Sequence, residues 1–186
     1  ALLVGVVVGV FSAHRPNGML SHFVSFLALF GYSAPVFWSG LLLLIGFSLH
    51  IQWFPVAGMI DVTVEGNIWV RTVDVLRHLT LPVISLASIF LALYSRLSRA
   101  TMMEVLGSDY IRTAKAKGLS NFIVIRDHAL KNALNPVVTA VSGWFASLLA
   151  GAVFVEFIFG WNGLGKEIVN ALTLLDLPVI MGAVSV

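Results

Sequence analysis

An all-α fold, a polytopic bundle of transmembrane helices, is what the sequence predicts, on three observations. Of its 186 residues 59% are hydrophobic and only 11% charged, with a mean hydropathy of +0.97. A soluble domain needs a charged exterior that this composition cannot supply. The apolar residues form runs near or beyond the ~20 residues of a helical span, without the ~10-residue alternating segments of a barrel. Most of the basic residues collect in one stretch, 96–131. There Arg96, Arg99, Arg112, Lys115, Lys117, Arg126 and Lys131 are balanced only by Glu104, Asp109 and Asp127.

Residues 1–13 are uniformly apolar and read as the last part of a span. The chain begins Ala1-Leu2-Leu3-Val4, with no initiator Met, basic leader or small-residue cleavage site of a signal peptide. It closes on an apolar run, 179–186, too short to cross a bilayer. Both ends are expected to be helices cut mid-span, leaving the bundle truncated at each end.

His14-Arg15-Pro16-Asn17-Gly18 breaks the first run with a proline, an Asn-Gly turn signal and one positive charge. The next apolar segment, 19–49, exceeds one crossing and is interrupted by Gly31-Tyr32-Ser33-Ala34-Pro35. Pro35 removes a backbone donor and clashes with the preceding turn, so two short helices or one kinked helix would fit. One long helix with an interfacial start is preferred, because two crossings need a polar loop and this interruption has no charge. Residues 50–80 mix Gln52, Pro55, Gly58, Asp61, Glu65, Asn67, Arg71, Asp74 and Arg77 and read as a loop, with Trp53 and Trp69 at headgroup level.

The span at 81–97 starts at Leu81-Pro82, where proline suits a first helical turn. After the basic stretch comes 132–154, entered through Asn135-Pro136. Its Gly143, Ala146, Ser147, Ala150 and Gly151 recur at three- and four-residue spacing, which lets a neighbouring helix approach closely. A second mixed loop, 156–177, holds Trp161, Asn162, Gly163, Gly165, Lys166 and Glu167, and Pro178 opens a partial last span, 178–186.

Sidedness follows from Lys and Arg near the span ends. The basic stretch and the turn at Arg15 fall on one side, and the loops at 50–80 and 156–177, with only Arg71, Arg77 and Lys166, on the other. Basic residues collect in the cytoplasm, so loop 98–131 is expected to be cytoplasmic and the other two external. One crossing per segment keeps the alternation consistent.

Within the basic stretch, Ser108 can cap a helix that starts at Asp109, whose charge favours the positive end of the helix dipole. Lys115 and Lys117 fall in its last turn, and Gly118 is a fitting left-handed stop. Ser120 can cap a second helix from Asn121 that runs on into the membrane. The charge alone would also fit topology enforcement or binding of anionic lipid headgroups, but neither needs capped helices.

The order of these residues resembles the inner-membrane permease subunits of ATP-binding-cassette importers. Their cytoplasmic loop carries E-A-A, three residues, G, nine residues, I-x-L-P. Aligned on Gly118, this chain has Arg112-Thr113-Ala114 and then His128-Ala129-Leu130-Lys131, so the generic motif is matched in Ala114, Gly118 and Leu130. The fuller strings D-Y-I-R-T-A-K-A-K-G-L and H-A-L-K-N-A-L-N-P-V-V-T are similar to the dipeptide, oligopeptide and nickel branch, most of all to the first of its two permeases. S-A-P-V-F-W-S-G-L-L-L-L-I at 33–45 and V-E-F-I-F-G-W-N-G-L-G-K at 155–166 agree.

The resemblance implies a single permease domain over 1–186 with the type I importer fold, multi-pass in the bacterial inner membrane. It implies a coupling helix, with Asp109, Tyr110, Ile111, Arg112, Thr113, Ala114, Lys115, Gly118 and Leu119 as the docking residues for a cytoplasmic ATPase. Tyr110, Ile111, Ala114 and Gly118 would be the contacts and Arg112 and Lys115 the rim. Arg112 in place of the motif's Glu suggests a heterodimer with a second, related permease. A separate substrate-binding protein and membrane lipid complete the expected partners; nucleic acid is not among them. No cofactor is expected in this chain, ATP and magnesium being held by the ATPase. Substrates of the class are di- and oligopeptides or a nickel chelate.

Fixed charge deep in a span would mark a substrate path, and this chain shows none there, so candidate path groups are neutral: Tyr32, Ser33, Ser39, Ser85 and Ser142, with Ser88, Tyr94 and Ser147. Each has a packing role as its plain alternative. The five His lack ligand spacing and there is no Cys, so no metal site is expected; His22 and His50 suit interfaces. Asp127-His128 has no partner nucleophile for an enzyme. An ATP-independent transporter or channel is the alternative class, and would need intramembrane carboxylates, a carbonyl filter or repeated broken helices.

Overall fold

The computed structural model describes residues 1–14, 16–64 and 66–184, without the side chains of Leu20, Ala146, Leu149, Ala183 and Val184. Arg15, Glu65 and the Ala146 side chain, used above for sidedness, loop polarity and packing, lie outside the described residues. The described elements are helices: α1 (Leu2–His14), α2 (Met19–Ser33), α3 (Val36–Leu43), α4 (Ile68–Leu106), α5 (Asp109–Ala116), α6 (Asn121–Ile123), α7 (Leu130–Ile158), α8 (Leu164–Leu174) and α9 (Leu177–Val184). Wider π-helical turns continue α3 over Leu44–His50 and join α6 to α7 over Val124–Ala129. Among the described residues α4 alone is long and apolar enough to cross a membrane; the interrupted pairs at 21–50 and 121–158 raise the number to three if each counts as one span.

The residues gather into two compact units, Ala1–Ser33 with Ala87–Phe145 and Ala34–Leu86 with Ala146–Val186. Helices α4 and α7 contribute to both.

In the first unit α1 lies on the C-terminal half of α4, backbone against backbone. A Cβ on Gly5 would stand 2.7 Å from Tyr94 Cβ, and one on Gly9 2.6 Å from the Ser95 carbonyl oxygen. Gly5, Gly9 and Ala13 recur every four residues and form the stripe that makes this approach fit, as small residues do where no hydrophobic force sorts helix from lipid. Ser12, Ser95 and Ser98 are buried along the seam. Ser12 Oγ donates to Gly9 O at 2.8 Å and Ser95 Oγ to Ala92 O at 3.0 Å, which satisfies hydroxyls that water cannot reach.

The second unit is built on Leu81, Val155 and Phe159, with Val36, Leu43, Phe47, Phe54 and Trp161 packed around them. Pro35 heads α3 at φ −59°, a natural place for a residue without an N–H. The apolar segment 19–49 is thus two helices split at Ala34-Pro35, not the one long helix preferred from its lack of charge. The proline decides this.

A further difference is the extent of α4. Residues 68–80, expected to be loop, are its first turns. Asn67 Oδ1 accepts from the N–H groups of Trp69 and Val70 at 3.1 and 3.3 Å, an N-terminal cap that overcomes the polarity of the turns behind it. Pro82 therefore lies inside α4 and not at its start. The polar groups of those turns hold the preceding loop: Asp74 Oδ2 accepts from Asp61 N at 2.8 Å, and Arg77 Nη2 donates to Trp53 O at 3.0 Å. His78 Nδ1, buried, lies 2.9 Å from Asp74 O and 3.3 Å from its carboxylate. The loop expected at 156–177 is likewise mostly helix, since α7 runs to Ile158 and α8 begins at Leu164. Glu156 Oε2 accepts from Lys166 N at 3.1 Å, so a carboxylate sits at the positive end of α8.

Candidate docking site

The basic stretch folds as its residues suggest, with one change in how the first helix begins. Ser108 stands at the N-terminal cap in extended geometry (φ −72°, ψ 155°), but its hydroxyl makes no cap bond; Oγ donates back to Val105 O at 2.6 Å. Asp109 remains in the first turn of α5, and its carbonyl accepts from Thr113 Oγ1 at 3.0 Å. The Arg112–Asp109 ion pair, 3.4 Å long, is almost fully exposed and adds little. At the other end Gly118 has φ +79° and its N–H reaches Lys115 O at 3.0 Å, the left-handed stop expected of it. Ser120 Oγ then accepts from Ile123 N at 3.5 Å, at the long limit for such a bond, and opens the helical run into α7.

Amphipathicity fixes which face of α5 looks inward. Ile111 is 0% exposed and Ala114 6%, one turn apart, in a cluster with Ala13, Met102, Val124, Ala129 and Ala133. Val10, Leu106 and Leu119 pack at its margin. Fully burying an isoleucine side chain contributes roughly 1.5–3 kcal/mol, enough to hold an eight-residue helix that would not form alone. Tyr110, 43% exposed, adds a polar tie: its hydroxyl oxygen accepts from Asn132 Nδ2 at 2.9 Å. That amide also donates to His128 O at 3.4 Å, so one side chain joins α5 to the first turn of α7.

These positions divide the predicted docking set. Ile111 and Ala114, expected to touch a partner, are turned into the body of the protein, and Leu119 is half-buried with them. Only an apolar face can seat so short a helix, and these residues supply it. Asp109, Tyr110, Arg112, Thr113, Lys115, Lys117 and Gly118 are exposed. The presented surface is three cations against one carboxylate. Asn132 was missed by sequence reasoning, because a lone Asn at a span entry gives no signal of a partner twenty-two residues back.

Residues 5–186 match the model of a family described as the binding-protein-dependent transport system inner membrane component. The chain belongs to that family. It is 41% identical over 201 residues to the dipeptide transport system permease DppB of Escherichia coli K12, covering 99% of this chain and 59% of that protein. To the di/tripeptide permease DppB of Pseudomonas aeruginosa it is 41% identical over 194 residues, 97% of this chain and 58% of that protein. To the oligopeptide permease AppB of Bacillus subtilis it is 40% identical over 181 residues, 97% and 56%. The chain thus spans less than three fifths of the length of these relatives. Membership in the inner membrane component family agrees with the helical fold and with α4.

Of the Asp127-His128 pair considered for enzyme chemistry, the aspartate is engaged by its neighbour Arg126. Asp127 receives Arg126 Nε and Nη2 at 2.8 and 2.9 Å. Those bonds hold its carboxyl below the ordinary carboxylate value and raise the guanidinium above its own. The neutral residues proposed for a path do not act alike. Ser85 is fully buried and its hydroxyl donates to Val36 O at 3.4 Å, while Ser39 Oγ donates to Val36 O of its own helix at 2.9 Å; both lie in the second unit. Tyr94 is buried 5.1 Å from the Trp144 ring. Tyr32, Ser33, Ser142 and Ser147 are exposed, and the Arg96 guanidinium lies 5.4 Å above the Tyr32 ring.

Proposed function

We propose that this chain is the membrane-spanning permease part of an ATP-driven importer of di- or oligopeptides, and that α5 is the element through which a cytoplasmic ATPase moves it. The observation that carries this reading is the mounting of α5. A short helix, basic outside and locked inside by Ile111, Ala114 and the Tyr110–Asn132 bond, can pass a rigid displacement to α4 and α7. A flexible basic turn would dissipate it. The relatives named as dipeptide, di/tripeptide and oligopeptide permeases support the peptide class.

On this reading the docking residues are Asp109, Tyr110, Arg112, Thr113, Lys115 and Gly118, with Lys117 added, and Ile111, Ala114 and Leu119 hold them in place. Loop 98–131 is cytoplasmic and the segments around 50–67 and 159–176 are external, in a multi-pass inner-membrane topology. The other partners are a second, related permease in a heterodimer and an extracytoplasmic binding protein. The chain does no covalent chemistry and holds no cofactor; ATP and magnesium belong to the ATPase. Tyr32, Ser33, Ser39, Ser85 and Ser142 are the path candidates.

The test is gentle purification of the full-length protein and mass spectrometry of what accompanies it. Recovery of an ATPase and a second permease is the expected result. Recovery of the chain alone, under conditions that preserve other importers, would favour an ATP-independent transporter. These 186 residues hold no cysteine, so in a full-length background cleared of any cysteine elsewhere Ser120→Cys should label from the cytoplasm and Lys166→Cys from outside. Labelling of both from one side would overturn the orientation.

A further inference from the structure

We propose that a cavity between α2 and α4 in the first unit is a binding site for the headgroup of an anionic phospholipid. The cavity is about 280 Å³, with Val24, Ala28 and Leu29 as an apolar wall and Ser25, Arg96 and Arg99 as its polar side. Both cations are held by neutral groups. Arg99 Nη1 donates to Ser25 Oγ at 2.6 Å and Nη2 to Pro16 O at 3.3 Å, while its Nε is buried without an acceptor. Arg96 lies over the Tyr32 ring, a further contact that leaves its charge uncompensated. Among the described residues no carboxylate pairs with either arginine, and no acidic residue lines the cavity. Arg99, half-buried with its Nε unsatisfied, is costly without an anion; Arg96 stands exposed one turn away at the mouth, and the planar forks of both suit phosphate oxygens.

The apolar wall decides between a soluble anion and an amphiphile. Leu29 lines the recess and is 53% exposed, so with Val24 and Ala28 it carries the apolar wall out to the surface of the helix. A free phosphate has no use for that surface; a phosphodiester with acyl chains fills both parts. The inner leaflet is the anionic one, and the site falls at the start of the basic stretch, so its leaflet rests on the orientation proposed above.

The experiment uses the full-length permease with its partner subunits in nanodiscs of phosphatidylcholine containing a minority of phosphatidylglycerol, read by native mass spectrometry. The wild type should retain phosphatidylglycerol over phosphatidylcholine. Arg96→Gln should lower that retention about fivefold, the effect of one basic residue at an anionic surface. Arg99 also ties down the turn at Pro16, so Ala100→Trp, which fills the cavity from its exposed rim, is the second variant and should lower retention without removing charge. Equal phosphatidylglycerol retention in wild type and both variants would overturn the site. Displacement of the lipid by inorganic phosphate or by a dipeptide would assign the arginines to a soluble anion instead, and would equally overturn it. Retention is read whichever leaflet faces the cavity, so the cysteine-labelling result separates a wrong orientation from a wrong site.

Discussion

The hydroxyl of Tyr110 and the amide of Asn132, 2.9 Å apart, join the exposed helix α5 to the base of α7 by a single hydrogen bond. Asn132 donates and Tyr110 accepts, and the same amide reaches the His128 carbonyl, so the tie is oriented from two sides. Removing it without emptying space isolates its role. Tyr110→Phe should cost roughly 0.5–1.5 kcal/mol locally and leave the permease assembled. On the proposed function it should lower peptide uptake per ATP hydrolysed in proteoliposomes, since the docked helix would move with less effect on α7. Unchanged coupling in this variant would show that the apolar contacts alone transmit the displacement.

Those apolar contacts have their own test. Ile111→Ala removes a fully buried side chain from the cluster under α5, and truncations of this kind cost about 2–5 kcal/mol. On the proposed function the expected outcome is loss of ATPase co-purification together with faster proteolysis in 107–120. Arg112→Ala, on the exposed face, should leave proteolysis unchanged.

The contrast between Ile111 and Arg112 marks what was legible in the sequence. The limits of α5 could be read from Asp109 and Gly118 and from the place of Ser108, though not its bonding. The Ser108 hydroxyl turns back to Val105, and only the left-handed stop acts as its local chemistry suggests. Which side of α5 faces inward could not, because Ile111 and Ala114 look like partner contacts until Met102, Ala13 and Val124 are placed around them. The start of α4 was misread for a related reason. Arg71, Asp74, Arg77 and His78 lower the hydropathy that marks a span, and the Asn67 cap that starts the helix ahead of them is one polar residue among several in the sequence. Pro35 was readable, and its effect on the backbone outweighed the missing loop charge. The Gly5–Gly9 stripe was hidden inside a uniformly apolar run, where composition is the same on every face.

That stripe predicts a sharp difference between two glycines. A methyl group on Gly9 would meet the Ser95 carbonyl oxygen at 2.6 Å and Ser98 Cβ at 2.8 Å, parts of α4 that cannot swing aside. Gly9→Ala should therefore force α1 off α4, at roughly 1–3 kcal/mol. Gly143, on α7, has nothing within 4 Å of the same position. Gly143→Ala should be tolerated, and melting of the two variants by detergent size-exclusion will check the order.

The basic face of α5 makes a prediction about rate. Arg112, Lys115 and Lys117 are exposed, and charges at an interface rim steer encounter more than they add affinity. If α5 docks an ATPase as proposed, Lys115→Glu should slow that binding, with the deficit shrinking as salt shortens the Debye length from about 10 Å at 0.1 M. The fold should not change. Surface-plasmon measurement of association over a salt series is the check, and a loss confined to the dissociation rate would place Lys115 inside the contact.

Gly118 isolates the backbone itself. Its φ of +79° puts it in the left-handed region, yet a Cβ there would meet nothing within 4 Å. Space is therefore not the constraint; conformation is. Gly118→Val carries a β-branched side chain into a region that costs ordinary L-residues about 1–2 kcal/mol, and should unwind the end of α5 and weaken docking. Gly118→Asn, whose side chain tolerates that region, should keep most of the co-purified ATPase. A purely steric role for Gly118 would make both variants harmless, whereas failure of Asn as well as Val would mean that the ATPase packs directly on the bare glycine backbone.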